Sequence, residues 1–206
     1  MELTSEQKDG LTELITIGYG RAASALSELT GYRIMLEVPK VSMHSIREME
    51  PMLAEIMASP VASVNQNFSG AVSGSALFLL DEPSAVLLSR LLTEEKSVAS
   101  SLDANAKEII IEVGNILLNA CLGVFGNLLQ IKISFSVPRL SVQAVDRVLY
   151  NASEQSNEPL QYGLMIRTQF NVKAADVMGY LVIVLGIASL DRLLGELENW
   201  SNRQSR

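Results

Sequence analysis

Apolar side chains recur every three or four residues through the first thirty positions of the chain, which predicts a helix. The run Thr-Ser-Glu-Gln at 4–7 is a suitable start for this helix, and Gly31 is a natural stop. The next stretch, Tyr32–Val38, has the composition of a strand, and Pro39 is expected to end it.

Four further elements are predicted in the rest of the first half. A short helix comes first, although Pro51 argues against one unbroken helix. Two alternating segments then predict a hairpin that turns at Gly70, and a helix follows with proline in its first turn. These segments are 46–57 for the short helix, 61–69 and 71–80 for the hairpin, and 81–92 for the last helix. The polar stretch Thr93–Ser101 is the best candidate boundary in the chain.

The second half is predicted to repeat this order of elements. Displacing the chain by 99 residues places Glu13 on Glu112, and the Val-Pro-Lys run at 38–40 on the Val-Pro-Arg run at 137–139. The predicted segments are a long helix at 103–130, a strand at 131–137, an irregular stretch at 142–158, a strand pair at 160–172 and 178–186, and a closing helix at 187–200.

The repeat predicts the fold class. We expect an α+β fold in which helix-strand-hairpin-helix units form a pseudo-twofold repeat around a mainly antiparallel sheet. The chain would then be a single domain, 1–206, made of two repeats at about 1–98 and 99–206.

Composition narrows the classes of function. Hydrophobic residues make up 48% of the chain and charged residues 19%, which is enough apolar surface for a sizeable core. The net charge of −7 argues against a nucleic-acid binder or a binder of anionic membranes, because both need a basic surface. The single cysteine, Cys121, fits a reducing compartment. With no signal-like N-terminus and with polar residues interrupting the apolar run 109–129, we expect a cytoplasmic protein.

The sequence offers little for metal or nucleophile chemistry. His44 is the only histidine, and no cluster of cysteine and histidine accompanies it, so we expect no metal site. No nucleophile-elbow motif and no glycine-rich phosphate-binding loop occurs. His44 is therefore interpreted as a surface or hydrogen-bonded structural residue.

A polar stripe interrupts the apolar helix of the second half. Glu112 and Asn115 are three residues apart and share one face of the helix, with Glu108 and Asn119 nearby. A solvated face is the simpler explanation of such a pair. It is weakened here because an acid recurs at the equivalent place in the first repeat, and because a proline follows both copies at a constant distance.

These residues resemble the signature of the CheC/CheX/FliY phosphatases of bacterial and archaeal chemotaxis. That signature is an Asp or Ser, three residues, Glu, two residues, Asn, twenty-two residues and Pro. Glu112, Asn115 and Pro138 match it in type and spacing, whereas Glu108 stands where the family has Asp or Ser. The doubled arrangement is more similar to CheC than to the single-copy CheX.

The first repeat carries an incomplete copy of the signature. Asp9, Glu13 and Pro39 are correctly spaced, but Thr16 stands where the family has Asn. A threonine hydroxyl is shorter than an asparagine amide and would not reach the same water molecule. We therefore expect one working site, at Glu112 and Asn115, and a degenerate one in the first repeat.

The resemblance implies dephosphorylation of the phosphoaspartate on a CheY-type response regulator. In the family the regulator contributes the Mg²⁺ and an active-site lysine, so no cofactor is expected on this chain. The resemblance implies that the Asn115 amide orients the attacking water and that the Glu112 carboxylate pairs with the lysine of the regulator. The receptor deamidase CheD is a second partner that the family suggests.

Two other functions stay open at this point. The first is a non-catalytic binding protein, either a module of the flagellar-switch type or a regulator of CheD. The intact pair of Glu112 and Asn115 favours the enzyme, because the non-catalytic switch relatives lack it. The other is an α+β domain whose polar stripe is only structural, which a buried Glu112 would favour.

Overall fold

A computed structural model describes residues 2–58, 60–93, 101–154 and 159–204 of the chain. Helices and strands alternate in blocks along these residues. The helices are α1 (Ser5–Thr30), α2 (Ile46–Ile56), α3 (Glu82–Leu92), α4 (Ala104–Leu128), α5 (Val145–Glu154) and α6 (Ile187–Gln204). The strands are β1 (Ile34–Leu36), β2 (Lys40–Ser45), β3 (Val61–Gly70), β4 (Gly74–Asp81), β5 (Ile133–Phe135), β6 (Arg139–Gln143), β7 (Tyr162–Val172) and β8 (Ala175–Leu185).

All strand pairings form one antiparallel sheet, and the two halves of the chain interlock within it. The hairpins β3–β4 and β7–β8 lie side by side through β4 and β8. The short strands β1 and β2 cross over to pair with β7 of the other half. In the same way β5 and β6 pair with β3. The predicted α+β class with a mainly antiparallel sheet is confirmed.

The sheet separates two apolar cores, and the alternation along its central strands explains why. Along β4, Ala76, Phe78 and Leu80 point into the larger core, while Leu77 and Leu79 point to the opposite face. The larger core is covered by α1, α3, α4 and α6, and the smaller one by α2 and α5. Because every residue of the middle of β4 is buried, the strand is a continuous apolar run.

The first four elements of each half begin 99 residues apart, as the sequence repeat predicts. Thr4 caps α1 in a capping box with Gln7, and Asp103 caps α4 by accepting from the Ala106 backbone N–H. The pair β1 and β5, the pair β2 and β6, and the pair α2 and α5 also start 99 residues apart. The boundary predicted at 98/99 lies outside the described residues.

Helices α1 and α4 cover the same face of the sheet and run antiparallel. They meet at Gly18 and Cys121, where a Cβ atom on Gly18 would lie only 2.9 Å from the Cys121 Cα. Glycine is required there, because any side chain would push the two backbones apart. Near the end of α1, Leu26 and Leu29 share a groove with Ile109 near the start of α4, which fixes the opposite directions of the two helices.

Two predictions about individual elements are wrong. The stretch 142–158, predicted to be irregular, contains the end of β6 and helix α5. The signal was present, because the buried side chains of α5 recur at helical spacing at Val145, Val148, Leu149 and Ala152. Helix α2 also continues through Pro51, anchored by the fully buried Met49 and Leu53.

Apolar composition makes α4 resemble a membrane-spanning helix. Among the described helices, it alone is long and apolar enough to cross a bilayer. Half of its most apolar window is buried, and its inward side chains pack against α1 and the sheet. Its composition is accounted for by this packing in the core.

Candidate functional site

Helix α4 places four polar side chains along one side of its length, at positions 108, 112, 115 and 119. Glu108 and Glu112 are exposed, while Asn115 and Asn119 are half-buried. The stripe therefore runs from solvent at the start of the helix into the edge of the core. Glu112 is exposed, as both a solvated helix face and a partner-binding site require.

The two asparagines are hydrogen-bonded to each other and to the sheet. Asn119 Nδ2 donates to Asn115 Oδ1 at 2.6 Å. Gln66 Nε2, on β3, donates to Asn119 Oδ1 at 3.2 Å and to the Ser136 backbone carbonyl at 3.0 Å. We call Asn115, Asn119, Gln66 and Ser136 the amide relay, since the side-chain amides of Asn119 and Gln66 connect Asn115 to the Ser136 backbone carbonyl.

Gln66 is not among the site residues predicted from the sequence. It is 2% exposed, and its Oε1 atom has no hydrogen-bond partner among the described residues. A buried polar atom without a partner costs about 1–3 kcal/mol, which offsets the stabilisation of about 0.5–1.5 kcal/mol from each of the two hydrogen bonds that Gln66 donates. A glutamine at an inward position of a buried strand was the signal that could have identified it.

Ser136 lies in the link between β5 and β6 and is fixed to β3 by its backbone N–H and by its side-chain hydroxyl. Its backbone N–H donates to the Asn67 carbonyl at 2.9 Å, and its Oγ accepts from the Asn67 N–H at 2.9 Å. Pro138, the predicted supporting proline, follows two residues later and is half-buried. Because proline restricts the residue before it to extended conformations, Pro138 helps to hold this link in shape.

A groove of about 400 Å³ opens beside the exposed acids. Its walls include Leu26 and Leu29 from α1 and Ile109 from α4, with Glu108 and Glu112 at its border. Leu29 is 62% exposed, which is unusual for a large apolar side chain. The acids therefore lie next to an accessible apolar surface on the outside of the protein.

The corresponding residues of the first repeat lie on α1. Asp9, Glu13 and Thr16 are all exposed, and Pro39 is buried between β1 and β2. The Thr16 hydroxyl donates to the backbone carbonyl of Thr12 at 2.7 Å, within its own helix.

The two candidate sites lie at opposite ends of the helix pair. Glu112 precedes the crossing point at Cys121 by nine residues, and Glu13 precedes Gly18 by five. With a rise of about 1.5 Å per residue in antiparallel helices, the two acids are roughly 20 Å apart along the pair. The structure therefore does not bring the two sites together.

The remaining reactive side chains are not placed for chemistry. Cys121 is fully buried between α1 and α4, and this burial raises the pKa of its thiol, which keeps it protonated. His44 lies in β2, where its Nε2 is 2.9 Å from Ser42 Oγ. Among the described residues, no group of three or more His, Cys, Asp or Glu is arranged to hold a metal ion.

Similarity to known sequences points to chemotaxis proteins. No protein-family model matches the chain. The chain is 26% identical over 169 residues to the CheY-P phosphatase CheC of Bacillus subtilis, covering 81% of this chain and 80% of CheC. It is 19% identical over 186 residues to the flagellar motor switch phosphatase FliY of the same organism, covering 89% of this chain but only about half of FliY, 47%.

Solved structures share the fold over nearly the whole chain. FliY of Thermotoga maritima superimposes with a TM-score of 0.76 at 19% identity, covering 98% of this chain and 99% of that one. The FliM middle domain of H. pylori superimposes with a TM-score of 0.65 at 12% identity, covering 94% and 99%. A CheC-like protein from Shewanella gives a TM-score of 0.53 at 11% identity, covering 89% and 99%. The chain is homologous to CheC and to FliY, and it shares the fold of FliY over nearly its whole length.

Proposed function

We propose that this protein dephosphorylates the phosphoaspartate of a CheY-type response regulator through Glu112 and Asn115. The observation that carries the proposal is the pairing of an exposed carboxylate with an amide that is held in place, on the outer side of α4. A substrate that is part of another protein needs such an accessible site. An exposed helix can enter the active site of the partner protein. An enclosed pocket on this protein could not receive a phosphoaspartate that is part of a folded partner.

The chemistry suits these two side chains. Hydrolysis of an acyl phosphate requires a water molecule in line with the phosphorus and neutralisation of the phosphoryl charge. The water attacks the phosphorus, the bond to the aspartate oxygen breaks, and inorganic phosphate leaves behind a free aspartate. Asn115 has both a donor and an acceptor with which to orient that water. Positioning of this kind supplies most of the rate.

Glu112 is assigned a docking role. It lies one helical turn from Asn115 and is exposed, so it can pair with the active-site lysine of the regulator. The Mg²⁺ of the reaction is proposed to reside on the regulator. Glu108 extends the acidic surface by one further turn and supports the same contact.

The first repeat is proposed to be degenerate. Thr16 offers a hydroxyl in place of an amide, and that hydroxyl is already bonded to its own helix. Glu13 is exposed and is assigned a docking role, with Asp9 one turn earlier. A cytoplasmic location follows from the proposed substrate. CheD is proposed as a second partner on family resemblance alone.

A non-catalytic switch component is the second candidate function. It is favoured by the resemblance in fold to FliM middle domains, including one from a FliG–FliM complex of H. pylori with a TM-score of 0.67 at 11% identity. Such a protein would bind partners without hydrolysing a phosphoaspartate.

One experiment distinguishes the two candidates. A CheY-type regulator is phosphorylated with a small-molecule phosphodonor, the donor is removed, and phosphate release is followed with Mg²⁺ present. We expect this protein to accelerate the release in a concentration-dependent manner. Binding to the phosphorylated regulator with no change in its decay rate would support the non-catalytic candidate instead.

A further inference from the structure

We propose that Gln66 and Asn119 are positioning residues that determine which atom of the Asn115 amide faces the substrate. This inference rests on the proposed function, since it assigns a role to groups behind the candidate catalytic residue. Neither residue belongs to the signature of the second repeat. Both are members of the amide relay that ends at the Ser136 carbonyl.

The direction of the relay is set by its last member. A backbone carbonyl only accepts hydrogen bonds, so the Gln66 atom 3.0 Å from the Ser136 oxygen must be the nitrogen Nε2. That same nitrogen donates to Asn119, which must therefore present Oδ1 to it. The other end of the Asn119 amide is then Nδ2, and it donates to Asn115 Oδ1.

The consequence for Asn115 is a fixed orientation of its amide. Its Oδ1 is turned towards Asn119 and keeps one lone pair, while its Nδ2 group is left on the side away from the relay. Without the relay, the amide could rotate by half a turn and exchange the positions of these two atoms. A water molecule held by one arrangement would be held in a different orientation by the other.

The first repeat provides an internal comparison. Glu37 donates to the Gln169 carbonyl just as Ser136 donates to the Asn67 carbonyl, so Gln169 corresponds to Asn67. The residue corresponding to Gln66 is therefore Thr168, which is hydrogen-bonded to Tyr19.

The 99-residue offset places Gly20 where the second repeat has Asn119. Among the described residues of the first repeat, no chain of amides leads to position 16. The relay is thus present in the repeat that has Asn at the site and is missing from the repeat that has Thr. A purely structural link between helix and sheet would have no reason to follow the identity of the site residue.

The cost of the relay supports a functional reason for it. Gln66 is almost completely buried, and its Oε1 atom has no partner among the described residues. A methionine has a similar length and no such atom, but it would also remove the two hydrogen bonds that Gln66 donates to Asn119 and to the Ser136 carbonyl. The gain and the loss are of similar size, so the free energy of folding gives little preference for a glutamine at this position.

Two substitutions test the proposal on the full chain. Gln66→Met removes both donations by Gln66 with little change in volume. Asn119→Asp leaves an acceptor next to Asn115, so the Asn115 amide must turn its Nδ2 inward to make a hydrogen bond. Asn127→Asp is the matched control, because Asn127 is exposed on the same helix outside the relay and the change in charge is the same.

The measurements are kcat and KM for dephosphorylation of the regulator, together with urea unfolding. We expect Gln66→Met and Asn119→Asp to lower kcat about tenfold or more with little change in KM, while Asn127→Asp keeps both. We expect Gln66→Met to unfold at nearly the same urea concentration as the wild type, because the loss of its two hydrogen bonds offsets the removal of the unpartnered Oε1. A loss of activity without a loss of stability separates positioning from a structural role.

The failure of this proposal differs from the failure of the proposed function. Inactivity of the wild-type protein would overturn the phosphatase assignment. An active wild type whose kcat survives both Gln66→Met and Asn119→Asp would overturn the relay. The side-chain amide signals of Asn115 in ¹H–¹⁵N spectra, assigned with Asn115→Ala, give a readout independent of activity. These signals must shift in both relay variants and stay in place in Asn127→Asp. Unchanged signals in the relay variants would also overturn the proposed role of the relay.

Discussion

The hydroxyl of Thr16 is bonded to the carbonyl of Thr12 in its own helix, at 2.7 Å. At the equivalent place in the second repeat, Asn115 is bonded by its oxygen to Asn119 and keeps its nitrogen available. The two repeats thus present a helix at equivalent positions, but only the second repeat has a side-chain amide whose nitrogen is available to a partner. This asymmetry leads to the first predictions about activity.

Replacement of Asn115 is expected to remove most of the activity. Asn115→Ala deletes the only group proposed to orient the attacking water, so kcat should fall on the order of 100-fold or more. Binding of the phosphorylated regulator should change much less, because Glu112 and the neighbouring groove are intact. Phosphate release and binding are measured on the same preparation. A variant that keeps full activity would show that Asn115 does not position the water.

The two glutamates are expected to differ in their contributions. Glu112→Ala should weaken docking of the regulator and raise KM, because the carboxylate is proposed to pair with a lysine. Glu13→Ala, with the same change of charge in the first repeat, should have a much smaller effect on kcat/KM. The comparison uses equal enzyme concentrations with Mg²⁺ present. Loss of activity in Glu13→Ala but not in Glu112→Ala would reverse the assignment of the working site.

The repeat, the signature residues and the antiparallel sheet could be predicted from the sequence. The pairing of strands between the two halves could not. Strands β2 and β6 are short and begin directly after Pro39 and Pro138, and each pairs with a strand of the other repeat. Nothing in the local pattern of 40–45 or 139–143 indicates such a distant partner. The amide relay escaped for the same reason, because Gln66, Asn119 and Ser136 come from three separate parts of the chain.

Two glycines of α1 are expected to respond oppositely to alanine. A Cβ atom at Gly18 would lie 2.9 Å from the Cys121 Cα, whereas one at Gly20 would meet no atom within 4 Å. Overpacking costs about 1–3 kcal/mol, while glycine in a helix is about 1 kcal/mol less favourable than alanine. Gly18→Ala should therefore lower the free energy of unfolding, and Gly20→Ala should raise it. Urea denaturation of both variants checks this, and equal shifts would contradict the close contact of α1 with α4.

Burial of Cys121 is expected to make stability fall at alkaline pH. The folded protein keeps the thiol neutral because burial raises its pKa. In the unfolded chain a thiol ionises near pH ~8.5, so its contribution to stability is fully present below that pH and is lost as the pH rises further. Between pH 7.5 and pH 9.5 the wild type should lose about 1 kcal/mol more than Cys121→Ala. Urea unfolding of both proteins at both pH values checks the difference. An equal loss in the free energy of unfolding would show that burial does not keep the thiol neutral.

Rebuilding the site in the first repeat tests the amide and its support together. In the inactive Asn115→Ala background, Thr16→Asn supplies an amide next to Glu13. We expect it to restore less than about a tenth of the wild-type kcat, because no residue behind it fixes its orientation.

Adding Gly20→Asn places a second amide one turn further along α1, at the position that corresponds to Asn119. Gly20 is exposed and a side chain there meets no atom, so the helix should tolerate the change. The double substitution should therefore give a higher kcat than Thr16→Asn alone, measured as phosphate release at saturating regulator. Gly20→Asn without Thr16→Asn, in the same Asn115→Ala background, serves as the control and should restore no activity. Full activity from Thr16→Asn alone would mean that a bare amide on this helix suffices and that its orientation needs no support.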